Sequence, residues 1–174
     1  MASDSPDPTR IRPAAPDDLP ELVRIYNHYV VETPITFDTT PFDVDGRRPW
    51  FDGFSGTGPH RLWVAEEGGA VRGYASSSPF RSKPAYASTV ETTIYLDASA
   101  LGRGIGRKLY SHLLEGLRAE PDLHRAVAGI TMPNPASVAL HEELGFQIVG
   151  TFRQVGFKQD RYWDVRWYEK SLSN

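Results

Sequence analysis

Gly102-Arg103-Gly104-Ile105-Gly106 stands between the β-prone run Thr89–Leu96 and the amphipathic run Arg107–Glu120. Three glycines at alternate positions let a backbone approach a ligand closely and turn successive N–H groups into one concavity. A helix that starts there adds the positive end of its dipole. The combination makes a cradle for a pyrophosphate without a lysine, to which Arg103 and Arg107 add charge. Two rival phosphate motifs fail on spacing. A P-loop needs Gly-Lys-Ser/Thr, but Gly106 is followed by Arg107-Lys108-Leu109. A dinucleotide fingerprint places its third glycine one position later, where Arg107 stands. The preceding run also carries Glu91, Thr92 and Thr93, polar for a central parallel strand. The glycines alone fit a flexible turn equally well.

Working outward, Arg10 to Pro13 reads as a short strand and Leu22, Ile25, Tyr26 and Tyr29 recur at helical period. Asp17 or Asp18 caps that helix, and Asp18 with Glu21 has capping-box spacing. Thr33 to Trp50 reads as loop with a short helix, and Gly53 to Pro59 as a turn region. Arg61–Glu66 and Ala70–Ser76 form a hairpin through Gly68-Gly69, followed by an irregular segment, Ser78 to Ala87. Beyond the glycine turn, Leu109, Leu113, Leu114 and Leu117 share one helix face. His124 to Ile130 is a buried strand. Asn134-Pro135 opens another helix that Gly145 ends, and Gln147–Phe157 and Tyr162–Leu172 are final strands. This order predicts an α/β fold, a mixed sheet with helices packed on it.

The 174 residues suit one domain, 10–174, behind a flexible tail, 1–9, rich in Ser, Asp and Pro. A net charge of −3 argues against nucleic acid as a partner, because such binding rests on neutralising phosphates. The absence of cysteine excludes disulfides, thiolate zinc sites and a cysteine nucleophile, and no metal is expected. No apolar run is long enough for a membrane helix, and the chain reads as cytoplasmic.

Ile94-Tyr95-Leu96, the glycine turn and the helix after it resemble motif A of the GNAT acetyltransferases. Asn134 to Phe146 resembles motif B. The resemblance implies a mostly antiparallel sheet whose central parallel strands splay apart, helices on both sheet faces, and acetyl-CoA as co-substrate. It also implies that Ile94, Tyr95 and Leu96 pair with the pantetheine, that Gly102 to Gly106 with Arg107 hold the pyrophosphate, and that Asn134 reaches the cofactor from the other side. One departure is Leu101, where the family's loop usually opens with Gln or Arg.

Acetyl transfer to an amine needs a base for the amine and an acid for the departing thiolate, with no covalent enzyme intermediate. Glu91, mid-strand near the cofactor edge, is the candidate base, against a plain solvent-facing role. His141 sits where many family members carry a Tyr that protonates the thiolate; acid, base and substrate contact all stay open for it. Thr89-Val-Glu91, Val138-Ala-Leu-His141-Glu and Gly156-Phe-Lys158 look like the phosphinothricin N-acetyltransferase group. That likeness implies a small amino-acid-like substrate (phosphinothricin, methionine sulfone or methionine sulfoximine) and a homodimer. Arg81 and Lys83 then hold a carboxylate and a phosphinate or sulfone oxygen, Phe37 and Tyr86 wall the pocket, and Lys158 is a lesser candidate. The alternatives are a GNAT enzyme acting on a protein N-terminus, lysine or polyamine, and a non-catalytic acetyl-CoA-binding module.

Overall fold

The chain folds into one seven-stranded sheet, in the order β1-β2-β3-β4-β5-β7-β6, within a computed structural model that describes residues 9–173. The strands are β1 (Arg10–Pro13), β2 (Leu62–Glu67), β3 (Ala70–Pro79), β4 (Thr89–Leu96), β5 (Arg125–Met132), β6 (Gln147–Lys158) and β7 (Arg161–Ser171). The helices are α1 (Leu19–Glu32), α2 (Val44–Phe51), α3 (Ile105–Arg118) and α4 (Pro135–Glu143). Every neighbouring pair is antiparallel except β4 and β5. The expected tail lies outside the described residues except for Thr9. That residue is anchored, its hydroxyl on Glu67 and its carbonyl accepting from Lys108.

Two cores flank the sheet. On one face α3 buries Leu109, Tyr110, Leu113, Leu114 and Leu117 against Val90, Ala126 and Ala128. Each such leucine contributes about 1.5–3 kcal/mol by leaving water. On the other face Leu22, Ile25 and Tyr26 of α1 meet Val64, Val71 and Tyr74.

Three local readings change. Asp18 makes no side-chain cap on α1. It accepts from Ala15 N at 2.7 Å and pairs with Arg12, while Glu21 pairs with Arg24. The carboxylate thus ties β1 to the turn before the helix. The third helix begins at Ile105, two residues early. Gly106 is its second residue, where a Cβ would stand 3.0 Å from Leu96 Cδ1, so this glycine serves helix-to-strand packing. Finally, β3 runs on to Pro79, because Ser77, Ser78 and Pro79 still pair with β4.

Candidate active site

The decisive feature is where β4 and β5 stop pairing. Their parallel register covers Thr89, Val90 and Glu91 against Arg125, Ala126 and Val127. Beyond Glu91 the strands diverge, while β3 stays on β4 through Leu96 and β7 stays on β5 through Met132. Residues 92–96 of β4 therefore keep one free edge, facing a wedge that passes through the sheet. Such an edge suits strand-like addition of an extended amide-bearing ligand.

Two connected cavities fill the wedge. The outer one, about 470 Å³, runs from the glycine turn along Leu96 and Arg107 to Asn134 and Leu140. The inner one, about 50 Å³, lies between Thr92, Ile94, Ala128, Ile130 and His141. Gly102 and Gly104 take φ of 71° and 76°, a region that penalises a side chain, and an added Cβ at either meets no protein atom within 4 Å. Gly104 is the N-cap of α3, so unpaired N–H groups open onto this space. These features fit a CoA pyrophosphate and pantetheine. Leu101 is exposed at the rim, and the cradle works through backbone. Asn134 caps α4, accepting from Ser137 N at 3.1 Å, and also lines both cavities. Arg103 and Arg107 rest on Glu67 (2.8 Å) and Glu143 (3.2 Å), exposed pairs that exchange readily for another anion.

The strand period sends β4 side chains to opposite faces. Val90, Thr92, Ile94 and Leu96 face α3, whereas Glu91, Thr93 and Tyr95 face the α1 side. Glu91 is half-buried at the root of the wedge. Burial pushes its carboxyl above the ordinary value, and the Arg81 charge pulls the other way.

His141 lies on the α3/α4 face, nearly fully buried. Its Nδ1 is 2.7 Å from Ser137 O, a carbonyl that only accepts, so Nδ1 carries the proton. Nε2 then accepts from Tyr110 Oη at 3.1 Å, and Tyr110 Oη lies 2.6 Å from Thr92 Oγ1. Burial pushes the imidazole pKa down, which the Ser137 contact only partly opposes, and the ring is neutral. Tyr110 and Thr92 were missed by sequence reasoning. The available signal was a tyrosine inside a leucine stripe, whose hydroxyl must find a partner when buried. Tyr29 was also missed: its hydroxyl donates to Leu96 O at 2.7 Å and fixes the end of the free edge.

A third cavity, about 530 Å³, lies between Phe80, Arg81, Val127, Phe152 and Trp167; Glu91 does not line it, but the Arg81 charge acts on the Glu91 carboxyl. The Arg81 guanidinium lies 4.4 Å from the Phe80 ring centroid, and Phe80 contacts Tyr86 and Trp167 edge-on. Arg81 and Tyr86 thus come together. Lys83 is exposed at the start of the 3-10 turn Pro84–Tyr86. Phe37 covers Gly156, where a Cβ would collide with its ring. Lys158 is elsewhere: its buried Nζ donates to Thr36 O at 2.8 Å and reaches Tyr29 O at 3.4 Å, so it ties a loop down.

A sheet split between two parallel strands, with a glycine cradle at one end of the split, defines a CoA-dependent acyltransferase. The chain belongs to the GNAT acetyltransferases, and the family model described as an acetyltransferase (GNAT) domain matches residues 11–167. It is an acetyl-CoA-dependent N-acetyltransferase. It is similar to a phosphinothricin N-acetyltransferase of Streptomyces coelicolor, 56% identical over 94% of this chain and 96% of the relative. An L-methionine sulfoximine/L-methionine sulfone acetyltransferase of Pseudomonas paraeruginosa is 38% identical over 93% of this chain and 94% of its own. Among solved structures, a phosphinothricin acetyltransferase of Sinorhizobium meliloti in complex with acetyl-CoA superposes with a TM-score of 0.89. Its identity is 35%, over 95% of this chain and 89% of that one.

Proposed function

We propose that the enzyme acetylates the α-amine of a small amino-acid-like substrate of the phosphinothricin, methionine sulfone or methionine sulfoximine type. The observation that carries this is Arg81, whose charge acts on the half-buried Glu91 carboxyl and whose guanidinium shares a cavity with an aromatic wall of Phe80 and Trp167. Arg81 is shaped for bidentate binding of a carboxylate. The names of the relatives support the same substrate class.

In this reading acetyl-CoA, bound in the outer cleft, supplies a thioester as acyl donor. Glu91 takes the proton of the incoming ammonium on the α1 face. The Thr92–Tyr110–His141 chain lines the opposite wall, with the His141 Nδ1 proton held on Ser137 O and the Tyr110 proton on His141 Nε2, and fixes the shape of the inner gap. The enzyme works as a homodimer. The edge strand β6 exposes Ile148, Val155 and Phe157, an apolar edge that a second copy would cover, while Val149 and Phe152 line the cavity at Arg81.

A CoA-release assay across phosphinothricin, methionine sulfone, methionine sulfoximine, an aminoglycoside and a lysine peptide tests the substrate class. Turnover is expected on at least one of the first three, with kcat/KM well above that of the last two. A preference for the lysine peptide would overturn it.

A further inference from the structure

The outer cleft and the inner gap share four lining residues: Ile35, Ile94, Asn134 and Ser137. These form the constriction between the two spaces. Ile94 belongs to β4, and Asn134 with Ser137 forms the first turn of α4. Ile35 alone comes from a loop, the one joining α1 to α2, and it belongs to neither hydrophobic core.

That loop is nonetheless held from four directions. Ile35 N donates to Thr33 Oγ1 at 3.1 Å, and Ile35 O accepts from Thr131 Oγ1 of β5 at 3.3 Å. The next residue is fixed through both its oxygens. Thr36 O accepts from Lys158 at 2.8 Å, and Thr36 Oγ1 lies 2.7 Å from Tyr26 Oη. A buried ammonium is costly unless hydrogen-bonded. Lys158 therefore holds this loop at a fixed height over the wedge, and with it the Ile35 side chain.

On the acetyl-transfer reading, we propose that Ile35 is the residue that sets acyl-chain length, admitting an acetyl thioester to the inner gap and excluding longer acyl groups. The gap is about 50 Å³, against about 470 Å³ for the cleft that feeds it. That is room for roughly one or two water-sized groups. An added methylene has to displace a wall. Thr92 and His141 are tied to Tyr110, and Ala128 is packed in the core under α3. Core walls resist such a change, since packed interiors do not stretch. Of the two apolar side chains at the constriction, Ile94 packs against the core under α3 and Ile35 against neither core, so discrimination rests on Ile35.

The test measures kcat/KM and, by calorimetry, Kd with acetyl-CoA, propionyl-CoA and unacylated CoA, for the parent enzyme, Ile35→Ala and Ile35→Val. A methylene in a closed apolar pocket is discriminated by about 10–200-fold. The parent is expected to prefer acetyl-CoA at least about tenfold, and Ile35→Ala to reduce that preference about tenfold, with Ile35→Val between. Ile35 also lines the outer cleft, so the Kd for unacylated CoA is expected to change less than the acyl preference does. Equal use of both donors by the parent, or an unchanged preference in both variants, would overturn the assignment. Calorimetry reads the constriction without turnover. Failure of every amine would sink the proposed substrate class while the acyl preference is still decided.

Discussion

The two mouths of the wedge are built from different materials. On the α3/α4 side the chain offers mainly backbone: two left-handed glycines, a helix N-terminus and the free edge of β4. On the α1 side it offers side chains from three separate segments, Arg81 after β3, Glu91 in β4 and Trp167 in β7. A backbone cradle recognises what all acyl-CoA molecules share. A side-chain pocket can be retuned residue by residue, which lets one fold serve many amines. The sheet is the partition between the common chemistry and the selective chemistry.

The comparison breaks most visibly at Glu91. Glu91→Gln is expected to lower kcat by about 10²–10⁴, the usual worth of general base catalysis, with the Kd for acetyl-CoA nearly unchanged in calorimetry. A comparable loss of acetyl-CoA binding would place Glu91 on the wrong side.

Next in size is Arg81→Ala, expected to raise the amine KM about tenfold or more, since a hydrogen bond to a charged group contributes about 1.5–3 kcal/mol. The same variant has a pH signature. Glu91 acts ionised, and burial raises its pKa, so activity is lost as pH falls through a value above the ordinary carboxylate range. Arg81 holds that pKa down. Removing it should move the acid limb of the kcat/KM profile to still higher pH, and a shift to lower pH would contradict the contact.

Gly104→Val acts on the other mouth. Its Cβ meets no protein atom, so the cost comes from a β-branched residue at φ 76° and from the space a phosphate occupies. The left-handed strain costs about 1–2 kcal/mol of stability with or without ligand, and the side chain in the phosphate's space is expected to raise the Kd for acetyl-CoA about tenfold. Calorimetry reads it directly.

The same division explains what could be read from the sequence. The cofactor side was legible because its signals are local: Gly102 to Gly106, the Asn134-Pro135 helix start, and the leucine stripe of α3. The element order and the mixed sheet followed from the same periodicities. The amine side depends on contacts across the chain. Nothing near Phe37 announces that it covers Gly156, and nothing near Lys158 says that its ammonium holds Thr36 from 122 residues away. His141 was visible as a candidate, but its tautomer was set by Tyr110 and Ser137, which only the packed helices bring to it.

The most direct measurement is steady-state kinetics in which acetyl-CoA and the amine are varied together, for the parent enzyme, Arg81→Ala and Gly104→Val. If the sheet separates the two sites, Arg81→Ala raises the amine KM and leaves that of acetyl-CoA within about twofold, and Gly104→Val does the reverse. Equal increases in both constants from either substitution would contradict the two-sided wedge.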